Sequence, residues 1–270
     1  MSSQPLPSPP AAAERPKPGD TYVQSFARGL AVIRSFSAQA PMQTLTEVAH
    51  RTGLTRAGAR RILLTLEGLG YVESQGRQFR LTPKILDLGF AYLSSLPLWN
   101  LAEPVMEALV AQVKESCSAA VLDGAELVYV LRVPTHKIMS INLGIGSRLP
   151  AYCTSMGRVL LAGLPPEEAR ARLASRERIS YTSRTVVDID ALVALVDTVR
   201  GQGWCLVNQE LEEGLVSLAA PIVDRTGRTI AALNISGQHN RTPPAMMVEQ
   251  FLPRLLQASR DIARLLQVKK

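Results

Sequence analysis

The chain is poor in the residues that do chemistry. Three histidines, three cysteines and two tryptophans are scattered through 270 residues, and aromatic side chains make up only 5%. His50, His136 and His239 stand far apart. No Cys/His spacing suits zinc, and no glycine-rich loop precedes a Lys-Ser/Thr pair that could cradle a phosphate. Gly144-Ile-Gly146 is too short for a dinucleotide turn. Ser236 and His239 lack an acid partner and a nucleophile elbow. These absences argue against an enzyme, and no cofactor or metal is expected. Cys117, Cys153 and Cys205 are odd in number, widely spaced and set in apolar runs. That predicts core thiols in a reducing compartment, not a disulfide frame. No apolar run nears the roughly 20 residues that span a bilayer. The proline-rich N-terminus lacks the apolar core of a secretory signal. A cytoplasmic protein with no membrane partner is expected.

What is present points to two domains. At 46% hydrophobic and 20% charged, the chain is globular and long enough for both. The net charge of +7 is uneven. Residues 1–99 hold 11 Lys+Arg against 6 Asp+Glu; residues 100–270 hold 19 against 17. The excess concentrates in the smaller part, as expected if only that part meets phosphates. Residues 1–20 hold six of the 18 prolines and little to bury, which predicts a disordered tail. The expected order is then a DNA-binding domain over 21–82, a linker helix over 83–98 with Pro83 in its first turn, and a second domain over 99–268.

A helix is expected over 22–37, with Phe26, Leu30, Ile33 and Phe36 at helical spacing. Residues 44–80 follow with a short helix, a bend at Gly53, a second helix and a basic hairpin, the pattern of a winged helix-turn-helix. On a helix over 55–69, Ala59, Ile62, Leu63, Leu66 and Leu69 share one face. Arg60 and Arg61 flank the opposite face with Ala57 between them, and small residues at Ala57 and Gly58 permit close approach to base edges. Arginine suits guanine bidentately, or a phosphate. Thr55 is a good N-cap whose hydroxyl, with the free amides of the first turn, can meet a phosphate; Arg56 sits in that turn. In the hairpin, Arg77 and Arg80 bracket Gln78 beside Gly76. Double-stranded operator DNA is the expected partner.

Six strand-like runs mark the second domain: 118–123, 126–133, 138–143, 204–209, 216–224 and 229–235. Asp123-Gly124 and Thr226-Gly227 predict hairpins. Helices are expected at 99–115, 155–163, 166–175, 188–201 and 243–267. Inserted and appended helices suggest an α+β fold with a largely antiparallel sheet. Polar residues interrupt apolar runs at Asn208, Gln209, Glu210, Ser217, Asn234 and Ser236, and a polar group inside a strand is a candidate ligand contact. Thr154-Ser155-Met156-Gly157 opens a helix whose free amides suit a carboxylate. Arg148 is the expected cation for an acid, and Tyr152 could pack on a ring.

Residues 21–268 resemble the IclR family of bacterial transcription regulators. The likeness lies in Val23-Gln-Ser-Phe-Ala-Arg-Gly-Leu-Ala-Val-Ile33, the helix-turn-helix, residues 146–162, Gly214–Val223 and Ala231–Gly237. Arg148-Leu-Pro-Ala-Tyr-Cys-Thr-Ser-Met-Gly-Arg158 and Ala91-Tyr-Leu-Ser-Ser95 look closest to the subgroup of PcaR, PcaU and PobR, which serves aromatic catabolism through the β-ketoadipate pathway. The resemblance implies a winged helix joined to a GAF-like effector domain, and a dimer or dimer of dimers. It also implies a small carboxylate effector such as β-ketoadipate, protocatechuate or p-hydroxybenzoate. It carries a pocket onto Ser155, Met156, Asn208, Ser217, Asn234 and Ser236. Many relatives place an acid near Asn208, where this chain has an amide. Two alternatives stay open: a second domain that only oligomerises, and a redox switch through Cys153 or Cys205.

Overall fold

The computed structural model describes residues 22–95, 98–135 and 143–268. The expected tail over 1–20 and His136 lie outside them. The chain divides into two compact units after Tyr92.

In the first unit, helix α1 (Gln24–Ser35) is followed by β1 (Met42–Thr44), α2 (Leu45–Thr52) and α3 (Arg56–Gly68). The hairpin β2 (Val72–Gln75) and β3 (Gln78–Leu81) comes next. Thr44 starts α2 through a capping box: the Glu47 carboxylate accepts from the Thr44 amide at 2.7 Å, and the Thr44 hydroxyl accepts from the Glu47 amide. Gly53 ends α2 at φ +66°, the left-handed conformation that turns the chain toward α3. β1 joins the hairpin as a third antiparallel strand, in the order β1-β3-β2. Val32, Val48, Ala49, Ala59, Leu63, Leu66 and Val72 form the core of this unit.

The apolar stripe of α1 is only partly buried, with Ile33 and Phe36 on the core, and the expected packing of Leu69 fails. Phe26 and Leu30 are exposed, and α1 turns Val32 to the core. Leu69 is the C-cap of α3 and lies in solvent at 54% exposure, because the helical face ends with Leu66. A 3₁₀ turn at Pro83–Ile85 then leads into α4 (Leu86–Ser95).

The second unit is built on a six-stranded antiparallel sheet of order β6-β5-β4-β9-β8-β7. The strands are β4 (Ser116–Asp123), β5 (Glu126–Val133), β6 (Arg148–Pro150), β7 (Cys205–Asn208), β8 (Leu215–Val223) and β9 (Thr229–Gln238). Both expected hairpins form, β4–β5 through Gly124 and β8–β9 through Gly227, each glycine at positive φ. The expected strand over 138–143 lies outside the described residues except for Leu143, which is not in a strand. The third strand in chain order is instead β6.

Helices cover both faces of the sheet. α5 (Leu98–Val113) and α10 (Leu252–Val268) pack on one face, where Met106, Leu109, Leu255 and Ile262 meet Leu218, Ile222, Leu233 and Ile235. The chain reaches α10 through α9 (Pro244–Met246) and a π turn at Met247–Phe251. On the other face α6 (Ser155–Ala162) sets Met156, Val159 and Leu160 against Tyr129, Ala219 and Ala232. α7 (Pro166–Ala174) and α8 (Ile189–Gln202) back it. Strand alternation therefore decides which layer each side chain enters.

Candidate functional site

Each unit carries its own candidate site. In the first, α3 offers the exposed surface. Ala59, Leu63 and Leu66 are buried, so Arg56, Ala57, Arg60 and Arg61 remain exposed, with Leu64 among them. The Thr55 hydroxyl accepts from the Gly58 amide at 3.1 Å and so starts the helix. Gly58 is small for a local reason: a Cβ there would lie 3.1 Å from that hydroxyl. Arg77 is exposed beside Gly76 at the hairpin tip. Arg80 is exposed too, but pairs with its cross-strand partner Glu73. Exposed arginines at the start of a helix and on an adjacent hairpin suit phosphates and base edges.

The second unit holds a cavity between the sheet and the start of α6. Its apolar wall includes Tyr129, Leu143, Leu149, Met156, Val207, Leu211 and Leu215. Its polar side is a connected network. The Asn234 amide donates to Ser217 Oγ at 3.1 Å and to Ser236 Oγ at 2.9 Å, while its oxygen accepts from the Ser118 amide at 3.0 Å. Ser217 Oγ also lies 2.8 Å from Ser155 Oγ and 3.1 Å from Ser236 Oγ. Ser155, Met156, Ser217, Asn234 and Ser236 thus come together from α6, β8 and β9.

The loop after β6 can fold tightly against the first turn of α6 because residue 157 is glycine. A Cβ there would fall 2.2 Å from the Ala151 carbonyl oxygen. Thr154 stands at the N-cap but gives its hydroxyl to the Pro150 carbonyl, so no side chain among the described residues caps the first-turn amides. Behind the cavity, Arg158 and Glu210 form a buried bidentate pair at 2.7 and 2.6 Å. Arg158 Nε also donates to the Tyr152 carbonyl at 2.8 Å, and the Val186 amide donates to Glu210. The pair ties the start of α6 to the loop after β7, which carries Leu211.

Five expected contacts do not line this cavity: Gln209 and Glu210, and with them Arg148, Asn208 and Tyr152. Arg148 lies at the outer edge strand, 40% exposed, bonded to Asp123 at 2.6 Å and to Glu126 at 2.9 Å. Asn208 follows the alternation of β7. Cys205 and Val207 face α6, so Asn208 turns away and bonds His239 Nδ1 at 3.0 Å. Tyr152 lines a separate cleft, its hydroxyl donating to the Ile179 carbonyl and accepting from the Ile179 amide.

Among the described residues, the cation that does line the cavity is Arg132, which sequence reading missed. A β-bulge hides it. Ala119 pairs with Leu131 and Ala120 with Tyr129, leaving Val130 as the extra residue. Val130 and Leu131 both join the α5/α10 core, so Tyr129 and Arg132 share the cavity face at a spacing of three. An unbroken strand would set them on opposite faces. An arginine inside the run Val128-Tyr-Val-Leu-Arg-Val133 was the available signal. Burial pushes the Tyr129 hydroxyl up to about 12, against the opposing charge of Arg132, so it stays protonated at neutral pH. Cys153 also lines the cavity; burial pushes its thiol, like that of Cys205, up to about 12, which leaves little thiolate for redox chemistry.

A winged helix joined to a cavity-bearing α/β unit defines a DNA-binding transcription regulator. Residues 25–76 match the IclR helix-turn-helix domain, and residues 90–264 match the bacterial transcriptional regulator IclR C-terminal domain. The chain belongs to the IclR family. It is 45% identical to the Pca regulon regulatory protein of Pseudomonas putida, over 89% of this chain and 83% of that protein. A transcriptional regulator from Rhodococcus sp. RHA1 superposes with a TM-score of 0.83 at 50% identity, covering 91% of this chain and 99% of that one. An IclR homologue from Microbacterium hydrocarbonoxydans, complexed with 4-hydroxybenzoate, gives 0.80 at 26% identity, covering 91% and 100%. No helix among the described residues is long and apolar enough to cross a membrane.

Proposed function

We propose that this regulator answers to a small organic carboxylate held in the cavity of its second unit, and that it serves aromatic catabolism. Arg132 carries the reading. It is the one cationic side chain lining the cavity among the described residues, and an apolar site admits an anion only beside a partner charge. In this reading Arg132 takes the carboxylate. Ser155, Ser217, Ser236 and Asn234 take a hydroxyl or carbonyl on the ligand body, and Met156 and Tyr129 pack on that body. Arg56, Arg60, Arg61 and Arg77 meet operator DNA, with Ala57 leaving room beside them. Residues 21–82 act as the DNA-binding domain, 83–98 as the linker and 99–268 as the effector domain.

The protein acts as a homo-oligomer in this reading. Leu86 and Phe90 lie on one side of α4 and Leu88 and Tyr92 on another, all exposed in the single chain. Phe26 and Leu30 on α1 are exposed as well. A helix apolar on opposite sides is a helix built to be covered.

Thermal unfolding against β-ketoadipate, protocatechuate, 4-hydroxybenzoate and aliphatic keto acids tests the sensor. A ligand at about 100 times its dissociation constant adds roughly 2.7 kcal/mol to the state it binds. No shift across the panel would leave the second unit as an assembly module.

A further inference from the structure

A second cleft lies on the other side of the segment that walls the effector cavity. It opens to solvent and is separate from the cavity holding Arg132. Its floor is apolar: Pro150, Ala151, Leu161 and Leu173, with the ring of Tyr152. Ile179 and Tyr181 stand at its rim, 58% and 45% exposed.

The charged groups around it are unevenly satisfied. Glu126 lines the cleft, but Arg148 holds one of its oxygens and Arg176 the other, each at 2.9 Å. Arg172 pairs with Glu168 one turn back. Glu177 is on the exposed side. Arg178 differs. It is half-buried, and main-chain carbonyls fix its guanidinium: Nε donates to Val187 at 2.7 Å, and Nη1 to Leu173 at 2.8 Å and Arg176 at 3.3 Å. It has no carboxylate partner among the described residues. Carbonyl dipoles orient a guanidinium without cancelling its charge. A fixed, uncancelled cation beside an apolar floor and two tyrosine rings suits a flat, apolar body bearing one negative charge.

We propose that this cleft is a second binding site, for a small aromatic carboxylate, with Arg178 taking the carboxylate and Tyr152 and Tyr181 flanking the ring. The site bears on the first one through their common wall. Leu149, Cys153, Thr154, Ser155 and Met156 line the inner cavity, and Pro150, Ala151 and Tyr152, from the same stretch, line the outer cleft. A ligand that orders this stretch from outside changes affinity inside, and the reverse follows by reciprocity.

The test is ¹⁹F NMR titration of the full-length protein with 4-fluorobenzoate. Arg132→Met removes the inner cation and leaves the outer cleft intact. In that variant a saturable bound signal is expected to persist. Adding Ala125→Trp, which sets an indole on the cleft lining, should weaken that signal at least tenfold, and adding Arg178→Met should do the same. Should Arg178→Met unfold α7, Ala125→Trp still decides. The proposal is overturned if Arg132→Met alone abolishes all saturable binding, if Ala125→Trp leaves it unchanged, or if the unsubstituted protein binds no 4-fluorobenzoate. Because the readout is binding in the absence of the inner cation, the outer site and the effector reading fail separately.

Discussion

The two units present their candidate contacts in opposite ways. On the first, the arginines stand exposed on α3 and the hairpin tip, and their positions follow from a helix period that tolerates an error of a residue or two. On the second, the contacts are buried beneath α6, and a shift of one residue in a strand moves a side chain to the other layer. Exposed contacts can be changed one by one at little structural cost. Buried contacts share their environment with the core, so function and stability are coupled there.

The sharpest test of that coupling is the Arg158–Glu210 pair. Arg158→Ala leaves a buried carboxylate unpaired, which costs about 3–5 kcal/mol. Both tryptophans of the chain, Trp99 and Trp204, lie in the second unit, so tryptophan fluorescence in denaturant follows that unit alone. Effector binding should fall with it, because the pair ties the start of α6 to the loop carrying Leu211. Arg158→Ala with Glu210→Ala should recover part of the loss, since no lone charge then remains. A loss below about 1 kcal/mol for the single variant would place the pair with solvent-exposed ones and remove the contrast between the units.

Arg132 and Arg148 separate position from residue type. Arg132→Met is expected to weaken carboxylate binding by about 1.5–3 kcal/mol, the range for a hydrogen bond to a charged group, or roughly 10- to 150-fold. Arg148→Met, in an exposed pair with Asp123 and Glu126, should leave affinity within about twofold. Calorimetric titration with the best ligand of the thermal panel measures both. Equal losses would mean that the cavity is not where the acid sits.

These two arginines also mark how far the sequence could be read. The winged helix, the antiparallel sheet, both hairpins and most helices were legible, because each rests on a local period or a turn residue. Ser217, Asn234 and Ser236 were legible as a group, because polar residues interrupt apolar strands there, and Ser155 was legible as part of a helix start. Arg132 was not, because the Val130 bulge reverses the alternation that a reader would extend from Tyr129. Asn208 misled for the converse reason: nothing local says that Val207, not Asn208, faces α6. Arg148 misled because the acids it meets, Asp123 and Glu126, are neighbours only once the sheet has paired. The exposure of Phe26 and Leu30 was hidden because an apolar stripe reads the same whether it faces its own core or a partner.

On the exposed side of the comparison, Arg60→Ala or Arg61→Ala should weaken operator binding by about 1–3 kcal/mol if the residue makes a bidentate base contact, with no change in unfolding. A phosphate contact would instead reduce the salt slope by about one and leave sequence preference intact. Electrophoretic titration at several salt concentrations, on the operator and on a scrambled duplex, distinguishes the two. A variant that also unfolds early would show that these side chains are not the free surface described.

The smallest expected effect falls on Thr55, which caps α3 at the end proposed to meet operator DNA. Thr55 caps α3 by accepting from the Gly58 amide, and its hydroxyl proton remains available to a phosphate. Thr55→Ala removes both functions, and loss of the cap alone costs about 1 kcal/mol of stability. Thr55→Asp keeps a cap acceptor but sets a negative charge where a phosphate would lie, so stability should return while operator binding falls further. Thr55→Ser should restore both. Thermal unfolding and operator titration of the three variants therefore cross. If Thr55→Asp binds the operator as well as the unsubstituted protein, Thr55 is a helix cap only, and the DNA contacts of α3 begin at Arg56.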